Sequence, residues 1–204
     1  YVYDINYFET SYCQNCELVF RSIRPKESWF KKSWDKRNKT QKKNKIEPYD
    51  KKIEEFRIFT YDGIAKFLKR FCHKKQSKVK CIDVGCGTGT GLHKFEEQDF
   101  EVVGIEPDPS RSKVGKELYG AIIYEDTVEK FKTDEKFDIL TFIHSLEHIH
   151  DPLKTLKKMS ALVKMDGLIY IEVPDMKHHV KDWNDIIYLG HLSNFSLKNL
   201  LILG

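Results

Sequence analysis

Asp83, then Gly85, Gly87 and Gly89 at alternate positions, then Glu106 about twenty residues on, are residue types and spacings suited to gripping a nucleoside. Alternating glycines let the backbone approach a ligand closely and take dihedrals that a side chain would forbid. The helix expected after them offers free N–H groups to an anionic ligand group. A carboxylate closing the second strand suits a pair of ribose hydroxyls. A dinucleotide fingerprint would need glycines at offsets 0, 2 and 5, but the last place is Thr90 counted from Gly85 and Leu92 counted from Gly87. A nicotinamide or flavin cofactor is therefore disfavoured. The phosphate loop ending in Gly-Lys-Ser/Thr is absent as well.

A second constellation follows in Phe137-Asp138-Ile139-Leu140-Thr141-Phe142-Ile143-His144-Ser145-Leu146-Glu147-His148-Ile149-His150-Asp151-Pro152. An apolar strand of this kind delivers polar residues into the crevice at its carboxyl end. His144, Glu147 and His148, with His191 downstream, could assemble three or four metal ligands there. Glu147 and His148 could equally brace the loop by hydrogen bonding.

The elements that position these residues alternate. Strands are expected at about 79–84, 101–105, 120–124, 137–143 and 168–173, and helices near 90–98, 109–118, 127–131, 152–163 and 196–203. Alternating βα units imply an α/β fold, a doubly wound parallel sheet with helices on both faces. Residues 1–25 suggest short β elements around Cys13-Gln14-Asn15-Cys16. From Lys26 to about Lys75 the pattern is mainly helical. Phe56, Ile58, Phe59, Ile64, Phe67, Leu68 and Phe71 recur at spacings near 3 and 4, as on an amphipathic helix covering the ligand domain. The expected division is an N-terminal extension over 1–75 and a cofactor-binding domain over 76–204.

Composition narrows the setting. No apolar run approaches membrane-spanning length and no secretory signal opens the sequence. Five cysteines, an odd set with two inside the glycine motif, are not a disulfide framework, so a cytoplasmic location is expected. The net charge of +4 hides an asymmetry: residues 1–80 carry 21 Lys/Arg against 10 Asp/Glu, residues 81–204 carry 14 against 21. The excess centres on Lys31 to Lys52. A nucleic-acid surface would explain it, but lysine outnumbers arginine, whose fork suits phosphate and base edges better, so a solvated helical face is favoured.

At Asp83-Val84-Gly85-Cys86-Gly87-Thr88-Gly89 the chain resembles the class I S-adenosylmethionine-dependent methyltransferases. So does the order of later signatures: a hydrophobic strand, Leu-Glu-His and Asp-Pro, then Met165-Asp166-Gly167 before Leu168-Ile169-Tyr170-Ile171-Glu172-Val173-Pro174. The resemblance implies strand order 3-2-1-4-5, with the two further strands of that fold absent from this chain. It implies S-adenosyl-L-methionine as cofactor and S-adenosyl-L-homocysteine as product. Asp83 would lie near the methionyl amino group, and Gly85, Cys86, Gly87, Thr88 and Gly89 would line the methionyl and ribose portions. Glu106, followed by Pro107, would hold the ribose. Asp126, with Glu125 close behind, would accept from the adenine amine beside Thr127; the same residues also suit a helix cap. His144 would lie against the methionyl end, partly through its backbone carbonyl. Methyl transfer requires an aligned nucleophile and removal of its proton, for which His148 is the expected base and Glu147 its partner.

A resemblance to small-RNA 3′-end 2′-O-methyltransferases, whose metal set includes Glu-x-x-Glu-His and a later His, is broken by His144 at the first place. The expectation is therefore no metal and a small-molecule acceptor, with a nucleic-acid partner not favoured. A metal-assisted RNA enzyme and a non-catalytic cofactor-binding module stand as alternatives. Cys13-x-x-Cys16 followed by Glu17-Leu18-Val19-Phe20 resembles the second half of a zinc ribbon; one pair cannot close a tetrahedral site, so bound zinc is not expected.

Overall fold

The structure, a computed structural model, describes residues 9–26, 28, 29, 32, 35, 36, 51–72, 78–179 and 190–203. The expectations for residues 1–8, for the lysine-rich run at 37–50 and for the helix end at 73–75 lie outside the described residues. In chain order the elements are β1 (Thr10–Tyr12), β2 (Val19–Arg21), α1 (Lys51–Cys72), β3 (Val79–Val84), α2 (Thr90–Glu96), β4 (Phe100–Ile105) and α3 (Pro109–Tyr119). They continue with β5 (Ile123–Tyr124), β6 (Phe137–Ile143), a 3₁₀ turn (Leu146–His148), α4 (Pro152–Ser160), β7 (Val163–Glu172), α5 (Met176–His179), β8 (Ser193–Asn194) and α6 (Leu197–Leu203).

Every residue of β6 is buried, as a strand covered on both faces must be. It belongs to a five-stranded parallel sheet in the order β5-β4-β3-β6-β7, the expected 3-2-1-4-5. Alternate side chains feed two cores. Cys81 and Ile139 pack with Leu92 and Phe95 of α2 and with Ile64, Ala65 and Leu68 of α1. Ile82 and Leu140 pack on the other face with Leu156 and Met159 of α4 and with Phe195. The sheet is thus sandwiched between helices. Asp108 caps α3 by accepting from the Ser110 N–H at 3.0 Å, with Pro109 at the first helical position; Asp151 and Pro152 open α4 in the same way.

Several expectations shift. The helix expected at 127–131 is a single turn, closed by Lys130 and Phe131 N–H groups on the Thr127 carbonyl. The third strand shrinks to Ile123–Tyr124, because Gly120, at φ 64, ends α3 and Ala121 N–H still bonds the Gly115 carbonyl. The Asp166-Gly167 turn lies inside β7. Phe137 pairs with Val163 but Ile139 with Leu168, so the residues between form a wide bulge rather than a separate loop. Helix α4 ends at Ser160 accordingly.

The largest correction concerns α1. Phe56, Phe59, Phe67 and Phe71 are exposed, Phe59 by 79%. Ile64 and Leu68 of the expected stripe are buried, and the inward face is completed by Glu54, Ala65 and Cys72 rather than by those phenylalanines. Both stripes have helical spacing. The one turned inward is that in which Glu54 reaches the glycine loop and small Ala65 allows a close approach. A smaller antiparallel sheet, β1-β2-β8, pairs Val19 with Asn194 and Phe20 with Ser193, joining the N-terminal hairpin to the segment before α6.

Candidate active site

The end of β3 turns sharply. Gly85 sits at φ +81, and a Cβ there would stand 2.6 Å from Ser145 Cβ, so the loop leaving β6 lies directly against the glycine loop. Gly87, at φ +58, would carry its Cβ into open space with nothing within 4 Å. A ligand can occupy that space only if no side chain does.

Two buried carboxylates flank the opening. Glu106 Oε2 accepts from the Gly87 N–H at 2.9 Å and Oε1 from the Asp108 N–H at 2.8 Å, and burial raises its pKa. Each oxygen keeps a further lone pair for a hydroxyl donor. Asp83 Oδ1 accepts from the Thr141 hydroxyl at 2.7 Å, whereas buried Oδ2 has no hydrogen-bond partner among the described residues. Burial pushes the Asp83 carboxyl up to about 7. An orphaned, buried carboxylate oxygen is a site awaiting a cationic donor.

The other expected ligand residues divide. Cys86 Sγ points at the sheet, where a Cβ on Gly104 would meet it at 2.3 Å, and the Thr88 hydroxyl donates to Glu54 Oε1 at 3.0 Å. Both side chains are engaged within the protein, leaving their backbone to line the loop. Half-buried Pro107 stands between Glu106 and Asp108. Glu125 is taken by Ser112 and Lys116, at 3.1 and 2.7 Å, which leaves Asp126 as the better placed carboxylate of that turn. Asp126 Oδ1 accepts from the Thr127 N–H at 2.8 Å, and the Thr127 hydroxyl is buried with no partner among the described residues.

On the opposite wall, His144 adopts φ 50 directly after β6, a strained position for a residue bearing a side chain. Its Nε2 lies 3.2 Å from Glu172 Oε1, and the Tyr170 hydroxyl donates to Glu172 Oε2 at 2.6 Å. The Glu172 contact raises the His144 pKa above its usual range. Glu147 is almost wholly buried, and burial raises its carboxyl. Three imidazoles surround its Oε1: His144 Nδ1 at 4.0 Å, His148 Nε2 at 3.8 Å and His191 Nε2 at 4.0 Å. His148 was expected to be a base oriented by Glu147, yet 3.8 Å exceeds a hydrogen bond. The ring is held through Nδ1 by the Gly190 carbonyl at 2.7 Å. Burial pushes His191 down to about 4.

Sequence reasoning missed part of this site. Glu54 accepts from Arg57 at 2.6 Å and from both Thr88 and Thr90 hydroxyls, clamping α1 onto the glycine loop. Tyr61 fills the space that a Cβ on Gly91 would need, at 2.5 Å. A buried acid within a helix carries no mark in the sequence. Glu172 does carry one: it ends a strand, as Asp83 and Glu106 nearly do.

A parallel sheet in this order, with carboxylates at the ends of its first two strands and a glycine loop between them, defines the class I methyltransferase architecture. The chain belongs to the methyltransferase-domain family, whose model matches residues 55–201. The ubiquinone biosynthesis O-methyltransferase of Actinobacillus pleuropneumoniae serotype 7 (strain AP76) is 34% identical over 102 residues, covering 45% of this chain and 44% of that protein. Its namesake from Histophilus somni (strain 2336) is 34% identical over 135 residues, covering 61% and 55%. The chain spans about half the length of these curated relatives. Among solved structures, the plantazolicin methyltransferase BpumL in complex with SAH is similar in fold, with a TM-score of 0.62 at 17% identity over 87% of this chain and 70% of that one.

Proposed function

We propose that this chain binds S-adenosyl-L-methionine and transfers its methyl group to a small-molecule acceptor. The observation that carries the reading is the pairing of Asp83 and Glu106 across the glycine loop. One carboxylate has a buried oxygen without a donor among the described residues, the other has lone pairs to spare. Asp83 Oδ2 accepts from the methionyl ammonium, Glu106 holds the two ribose hydroxyls, and Asp126 accepts from the adenine amine. When bound, the cofactor supplies an electrophilic methyl group on a sulfonium. The wall of His144, Glu147, His148 and His191 faces the acceptor, orients its nucleophile and accommodates the loss of its proton.

The acceptor class is supported by the relatives, two of which are ubiquinone biosynthesis O-methyltransferases. A reducing, cytoplasmic setting is supported by the odd set of five cysteines, two of them in the glycine motif. No helix among the described residues is long and apolar enough to cross a membrane. Calorimetric titration with S-adenosyl-L-homocysteine tests the cofactor reading. Saturable binding is expected, weakened about tenfold or more by Glu106→Ala, as loss of hydrogen bonds to a charged group implies. Equal affinity in the variant would remove the ribose assignment.

A further inference from the structure

We propose that Cys13 and Cys16 form a redox-active dithiol, a site of reversible thiol–disulfide exchange with small disulfides such as glutathione disulfide. This chemistry is separate from methyl transfer and independent of it. The two thiols share one tight turn between β1 and β2. The Cys13 N–H donates to the Leu18 carbonyl at 2.9 Å, and the Glu17 N–H donates to the Cys13 carbonyl at 2.8 Å. Glu17 reverses the chain at φ 62. Residues three apart in such a turn have Cα atoms closer than about 7 Å, and a disulfide spans about 4.4–6.8 Å. The side chains already meet, because the Cys16 thiol hydrogen-bonds to the Cys13 sulfur.

Both thiols are half-exposed, whereas Cys72, Cys81 and Cys86 are buried, and burial drives the Cys81 and Cys86 thiols up. The Cys13 sulfur receives the Cys16 N–H, the Cys16 thiol and the Asn15 N–H. These donors hold Cys13 below the ordinary thiol range and favour its nucleophilic thiolate. Positive charge stands beside the turn, since Lys198 and Lys177 both bridge to Glu17, the latter at 3.3 Å. The backbone is held from behind as well. The Asn199 amide donates to the Cys16 carbonyl, and its own Oδ1 accepts from the Ser196 N–H and hydroxyl. A tetrahedral metal would need two more ligands. Among the described residues no third cysteine, histidine or carboxylate lies close enough to join the pair, Glu17 being committed to the two lysines. Exchange needs the pair alone.

The Cys13 thiolate attacks one sulfur of the small disulfide, forming a mixed disulfide as the old sulfur–sulfur bond breaks and one thiolate leaves. Cys16, its proton lost to water, then attacks the Cys13 sulfur. The Cys13–Cys16 bond closes and the second small thiolate departs. The dithiol is oxidised by two electrons, the small disulfide is reduced to two thiols, and the two protons end on those thiols. Excess small thiol runs both steps backwards.

The test is incubation of the full, reduced chain with glutathione disulfide, quenched by alkylation and read by peptide mass spectrometry. The parent should lose two hydrogens and yield a peptide bridged between Cys13 and Cys16, reopened by reduced glutathione. Cys16→Ser should stop at the mixed disulfide on Cys13. Cys13→Ser should take up glutathione on Cys16 roughly tenfold more slowly, having lost the activated sulfur. A parent that forms no such bridge, variants that react equally fast, or a stoichiometric zinc ion shielding both thiols overturns the site. The bridge is read on the parent, and its unmodified Cys72, Cys81 and Cys86 certify the fold, so a variant that fails to fold leaves the test standing.

Discussion

Asp83 ionises at about 7 in the fold against 3.8 in an open chain. Between those values the folded protein retains a proton that the unfolded chain has released, so this group's contribution to stability declines as pH rises from about 4 to 7. Asp83→Asn buries no charge. It should raise the melting temperature above pH 7 relative to the parent chain, with the gap closing near pH 4, as scanning calorimetry across pH will read. The same substitution should remove a pH dependence of S-adenosyl-L-homocysteine affinity: in the parent, binding of the ammonium weakens about tenfold per pH unit as pH falls below 7. Asp83 and Glu106 were legible because acids at strand ends beside alternating glycines have few other uses. The partners of His148 were not. Sequence places it next to Glu147, but only the return of the chain at Gly190–Leu192 decides that Nδ1 is engaged and that His191 completes the group.

Among the elements, α1 marks where periodicity misleads. Its phenylalanines and its Ile64–Leu68–Cys72 stripe both repeat as a helix does, and hydrophobicity alone merges the two faces into one. What decides is a polar contact, Glu54 with Arg57, Thr88 and Thr90, and the room that Gly91 leaves for Tyr61. Urea denaturation will separate the two faces. Leu68→Ala should cost about 2–5 kcal/mol, as truncation in a packed core does. Phe59→Ser should fall within about 0.5 kcal/mol of the parent. The parallel strands were easier to read, since β3, β4 and β6 are short, mostly apolar runs rich in β-branched and aromatic residues between turn residues. The bulge in β7 was not, because Asp-Gly is as good a tight turn as it is a bulge.

At the scale of the whole molecule, the alternation of β and α signals announced the parallel sheet, the family resemblance implied its strand order, and the structure has both. A ligand that grips only the folded sheet must stabilise it by mass action. S-adenosyl-L-homocysteine at 100 times its dissociation constant should add about 2.7 kcal/mol, visible as a rise in melting temperature that depends on ligand concentration. The short β elements of residues 1–25 were legible as β1 and β2, but β8 was not, since a two-residue strand carries too little pattern to announce a pairing across more than 170 positions. That sheet nevertheless touches the chemistry. Arg21 N–H holds the Leu192 carbonyl at 2.9 Å, and the Leu192 N–H holds the Glu147 carbonyl at 2.8 Å. The hairpin bearing Cys13 and Cys16 is therefore wired to the crevice through one residue, Leu192, and whatever tightens or springs that clasp will be felt in the backbone beside His191.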